Sequence, residues 1–101
     1  MTTFTGTIQN ANGSPLVAAP VRYRLLDVFI AGGITYSTNV QEVVTDGNGT
    51  WAINAPTGSS IVLQLPYRPD PLETVRYKTY ILEATDSGII PFSEDIILDR
   101  F

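Results

Sequence analysis

At 101 residues with a net charge of −4, the chain is the size of one domain and can bury a core without external staples. It contains neither cysteine nor histidine, so disulfides, thiolate metal sites, Ser-His and Cys-His nucleophiles and zinc hydrolysis all lack their usual residues. Its six basic residues are scattered and outnumbered by ten acidic ones, which argues against nucleic acid and against anchoring to an anionic membrane.

In chain order the sequence reads as strands. The opening Met1–Gly6 has no basic or apolar leader pattern, so the expectation is a protein made and kept in a cytoplasm or released without a signal, unless a leader has been removed. A strand is predicted from Thr3 to Gln9, with Phe4 and Ile8 on one face. Asn10 to Pro15 is a turn, where Asn12-Gly13 supplies positive φ and Pro15 stops the ladder. From Pro20, Val21, Tyr23 and Leu25 alternate with Arg22 and Arg24, one dry face and one wet. Val28-Phe29-Ile30 is continuously apolar, which suits either a bulge or a stretch buried on both faces. Ala31-Gly32-Gly33 breaks the run, and Ile34 to Ser37 is a short strand or loop edge.

Val40 to Thr45 is a strand, Asp46-Gly47-Asn48-Gly49 a tight turn, and Trp51 and Ile53 face inward on the strand that follows. After the connection 55–59, Ile61, Leu63 and Leu65 alternate with Val62 and Gln64. The segment 66–71 holds three prolines and is expected to be the least regular loop. The longest strand is predicted from Thr74 to Thr85, with Val75, Tyr77, Thr79 and Ile81 on one face and Arg76, Lys78, Tyr80 and Leu82 on the other. Tyr23 and Tyr77 are expected at the core or its edge. Asp86-Ser87-Gly88 turns the chain, and Ile96 to Leu98 closes the sheet. The prediction is an all-β fold: a single domain over residues 1–101, a two-sheet antiparallel β-sandwich of roughly seven or eight strands with Greek-key connections.

Two stretches carry a family resemblance. One is Gly6-Thr7-Ile8, Gly13-Ser14-Pro15-Leu16 and Val21. The other is Thr45-Asp46-Gly47-Asn48-Gly49-Thr50-Trp51-Ala52-Ile53, followed by Pro56, Gly58 and Ile61. Together they resemble the prealbumin-like (transthyretin-like) sandwich of carboxypeptidase regulatory-like domains and of phage tail-fibre amino-terminal domains. The resemblance implies an accessory role, as a spacer, a stabiliser or an adhesive module, with no shared catalytic residues. The chain departs from the pattern at Ala31–Asn39, which is longer and richer in glycine, and its last third matches only in strand character.

Functional signals are few. The turn at Asp46 resembles the start of a calcium loop, but the twelfth position, where an EF-hand needs a bidentate glutamate, is Thr57. Asn12-Gly13-Ser14 and Asn48-Gly49-Thr50 fit the glycosylation sequon and read better as turns. Glu42 with Asp46, and Glu94 with Asp95, read as solvated acids, and Lys78 as part of an exposed strand face. No metal, cofactor or catalytic residue is expected. The candidates for partner contact are Tyr67, Arg68 and Asp70 in the proline-rich loop, Tyr80 beside Arg76 and Lys78, and Phe101 at the apolar chain end.

The leading expectation is a non-catalytic virion accessory protein, a capsid decoration protein or a tail or neck appendage, bound to a larger coat or fibre protein or to copies of itself. The alternatives are an adhesion or spacer module of a bacterial surface protein, and a small carbohydrate-binding module stacking sugars on Trp51, Tyr67 and Tyr80. Exposure of Trp51 favours the carbohydrate reading, and burial favours the structural ones.

Overall fold

The computed structural model describes residues 1–68 and 74–100. Ten strands form among them: β1 (Thr2–Thr7), β2 (Pro20–Leu25), β3 (Phe29–Ala31), β4 (Ile34–Tyr36), β5 (Gln41–Val44), β6 (Thr50–Ala55), β7 (Ser60–Tyr67), β8 (Arg76–Glu83), β9 (Gly88–Pro91) and β10 (Ile97–Arg100), with one 3-10 turn at Glu94–Ile96. A three-stranded sheet runs β6-β1-β9, a five-stranded sheet runs β10-β8-β7-β2-β5, and β3 and β4 make a hairpin of their own. Residues from both larger sheets meet in one core: Phe4, Trp51 and Ile53 from the first, Val21, Ile61, Leu63 and Leu82 from the second. The arrangement is all-β and sandwich-like. Each of these large side chains contributes roughly 1.5–3 kcal/mol on burial.

Alternation sets the faces. In β2 and β7 the inward residues are those expected, Val21 and Leu25 against Ile61 and Leu63, all buried. Trp51 is also buried, at 2% exposure. Gly6 lies under the indole, where any Cβ would overlap the ring, so the internal glycine of β1 is what allows Trp51 to lie flat against it. Phe92 completes the seal: its ring is 5.8 Å from that of Trp51 and 5.5 Å from that of Tyr80, edge-on to both.

Several expectations give way. The count of roughly seven or eight strands becomes ten in three sheets among the described residues. Pairing is not wholly antiparallel, because β9 lies parallel to β1. β9 itself was not expected. Val28–Ile30 is neither a bulge nor doubly buried: Phe29 and Ile30 start a hairpin closed by Gly32 and Gly33, both at positive φ (56° and 77°), the two-glycine turn that matches strand twist. Phe29 and Tyr36 pack inward from it, and Val28, Ile30 and Ile34 are exposed.

On β8 the dry and wet faces are exchanged. Leu82 is buried and Tyr80 packs against the core, whereas Tyr77 lies on the outer face beneath the Arg22 guanidinium, 4.6 Å from its ring centre. Finally, β7 continues through Pro66 and Tyr67, which pair with Tyr77 and Arg76. Pro66 is tolerated because the β2 ladder stops at Arg22–Gln64, leaving β7 a partner on one side only at that point.

Candidate functional site

The strands define two ends. At one lie the close of β7, the start of β8 and the loop 8–19; at the other lie the β3–β4 hairpin and the close of β6. The first end holds Tyr67, Arg68 and Tyr80, three of the five residues singled out from the sequence. Asp70 and Phe101 lie outside the described residues.

Tyr67 stands between two cavities. One, of about 590 Å³, is walled by Leu16, Val17, Ala19, Pro66 and Val75 and borders Arg68. The other, of about 300 Å³, lies between Gln9, Leu65, Lys78 and Tyr80. Tyr67 and Arg68 are exposed. The Lys78 ammonium is 5.7 Å from the centre of the Tyr67 ring, and Arg76 is its ladder partner. Three of the six cations of an acidic chain, Arg68, Arg76 and Lys78, therefore flank one exposed tyrosine. Tyr80 contributes differently from expectation. Its ring packs on Phe92, so it forms a wall of the smaller cavity instead of an outward contact.

The wall of the larger cavity is held by Thr45. This buried hydroxyl donates to the Leu16 carbonyl (2.6 Å) and accepts from the Ala19 N–H (2.8 Å). The Thr45 main chain accepts from Ala18 N–H and donates to Ala19 O, both at 3.0 Å. Four hydrogen bonds thus fix Leu16–Ala19 and hold Ala18 at φ 55°, a left-handed conformation that a non-glycine residue keeps only when its surroundings impose it. Asp46 secures the adjoining turn, where its Oδ1 accepts from Asn48 N–H (2.9 Å) and Thr50 N–H (3.0 Å). Gly49, at φ 75°, sits against the Ile8 carbonyl where a side chain would collide. The Thr45–Thr50 motif is thereby accounted for as turn chemistry that builds a preformed wall.

Sequence reasoning missed Leu16, Val17 and Ala19, because a short apolar run between turn residues carries no periodicity. The signal that marks them is the buried threonine opposite. Among the described residues no helix is long and apolar enough to cross a membrane. No family model and no curated protein matches the chain.

Proposed function

We propose that this chain is a non-catalytic interaction module that docks through its Tyr67 end onto a larger protein. The observation that carries the reading is the exposed Tyr67, flanked by cations and set between a smaller, partly polar cavity and a larger one whose apolar loop wall is already fixed before any partner arrives. Tyrosine supplies much contact area at low entropic cost, arginine is enriched at the energetic centres of interfaces, and a preformed wall removes the cost of ordering it. The composition, without histidine or cysteine, supports the non-catalytic part.

Its most specific form is a prealbumin-like sandwich serving as a phage virion accessory, a capsid decoration protein or a tail or neck appendage. The support is the Gly6 to Trp51 fit and the Thr45–Thr50 turn, on which the resemblance rests. The elongated shape, 45 Å by 24 Å by 22 Å, favours the spacer module as a second reading. The carbohydrate reading loses support, since Trp51 is buried and Tyr80 packs inward.

The test is co-sedimentation of the full chain with assemblies from the cells that make it. The combined substitution Tyr67→Ala and Arg68→Ala should release it into the soluble fraction without unfolding it. Equal sedimentation of parent and variant contradicts docking at this end, and a parent that is always free contradicts the accessory role.

A further inference from the structure

The opposite end carries a second feature, independent of Tyr67. Among the described residues β6 pairs only with β1. Ile8 N–H donates to Gly49 O at 2.9 Å, which places the main chain of the odd-numbered residues Trp51, Ile53 and Ala55 toward β1, since antiparallel ladders alternate by two. Thr50, Ala52 and Asn54 turn theirs outward. Asp46 takes both main-chain groups of Thr50. The N–H and C=O of Ala52 and Asn54 are left at the open edge.

The other sheet edges are defended. β5 is short and carries Glu42, ion-paired to Arg22; β9 runs from Gly88 to Pro91; β10 has an irregular register between Ile97 and Asp99 and ends on Asp99 and Arg100. β6, Thr-Trp-Ala-Ile-Asn-Ala, has no charge, no proline and an unbroken register with β1. Beside its last residues lies a cavity of about 300 Å³, lined by Tyr23, Leu25 and Ile61 of the larger sheet, by Tyr36, Asn39 and Gln41, and by Asn54 and Ala55 of β6. The Asn54 Oδ1 accepts from Thr3 Oγ1 (2.7 Å), which ties this side chain back to β1. Among the described residues no carboxylate lines the cavity, whereas the Arg24 guanidinium does and donates to Leu25 O, so a basic side chain would find a like charge there and no counter-ion.

We infer that β6 and this cavity form an acceptor for an extended segment of a partner protein, which adds as a strand at Ala52 and Asn54 and seats one side chain that is not basic in the cavity. Strand addition supplies main-chain hydrogen bonds, and a pocket for an alternate residue supplies selectivity. A second copy of the chain is a poorer occupant. Pairing β6 with its own counterpart presents Trp51, Ile53 and Ala55, which already belong to a core, and leaves the cavity empty.

The experiment titrates the full isotope-labelled chain with capped heptapeptides of alternating threonine and valine, each natural residue in turn at the centre, followed by NMR. Peptides with centres other than lysine or arginine should shift the amides of Ala52 and Asn54 and leave Tyr67 unmoved, and those with lysine or arginine centres should bind more weakly; equal binding by the basic centres overturns the role of the cavity. Ala52→Pro removes an N–H that no ladder uses, so the sandwich still folds. It should weaken binding by about tenfold, and Ala52→Thr should not. Asn39→Trp, at an exposed position, should narrow the mouth and weaken the same peptides. The inference is overturned if no peptide binds at millimolar concentration, if Ala52→Pro binds as the parent does, or if the shifts gather at Tyr67. It is equally overturned if a neutral oligosaccharide shifts Tyr23 and Tyr36 where no peptide does, or if the edge is occupied by self-association that Ala52→Pro abolishes. Variants of Tyr67 leave this titration unchanged, so the docking reading stands or falls separately.

Discussion

At the Tyr67 end the loops are tied to one another: Thr45 holds Leu16–Ala19 by four hydrogen bonds, and Asp46 closes the neighbouring turn. At the hairpin end, β3 and β4 pair, among the described residues, only with each other, turn on two glycines, and expose Val28, Ile30 and Ile34. Both ends rest on the same core. The contrast shows that a domain with no staples can still present one surface that is fixed in advance and one whose order depends on a few local contacts.

The first way to break the contrast is to remove what both ends share. Trp51→Ala should cost roughly 3–5 kcal/mol, a large part of the stability of a domain this size. In denaturant, tyrosine fluorescence and amide exchange should report both ends melting together. Survival of either end alone would show that the two are separate units.

A second substitution acts at one end only. Thr45→Val keeps shape but strands the Leu16 carbonyl and the Ala19 N–H, at a cost of about 1–3 kcal/mol. Exchange of the Ala18 and Ala19 amides should accelerate while Phe29 and Tyr36 keep their rates. At the other end, Gly33→Ala forces a side chain into positive φ and should cost about 1 kcal/mol. That loss should appear as fraying of β3 and β4, with the sandwich melting nearly unchanged. The smallest effect on stability is expected from Tyr67→Ala with Arg68→Ala, within about 0.5 kcal/mol as for other exposed positions, although docking is lost.

The two ends also differed in how far the sequence disclosed them. Turn chemistry was legible because it depends on adjacent residues: Asp46, Gly49 and the inward Trp51 stand as the local pattern requires. The alternation of β2 and β7 was legible for the same reason. β8 was not, because Tyr77 and Tyr80 put an aromatic on each face, and what decides between them is Phe92 on one side and Arg22 on the other, both remote in sequence. β9 was missed because Gly88-Ile89-Ile90-Pro91 has no alternation and pairs in parallel with the distant β1. Pro66 marked a loop by composition, and the strand persists through it only because β2 stops short. Of the candidate site, the exposed Tyr67 and Arg68 came from residue type; the cavity walls beside them came from packing that no local pattern encodes.

The central claim, docking through the Tyr67 end, is tested most directly by site-specific crosslinking in the cells that make the protein. A photo-reactive phenylalanine analogue in place of Tyr67 should join the chain to one larger protein, and the same analogue in place of the exposed Asp86 should not. Absence of a product at position 67, or the same products from both positions, would contradict the account.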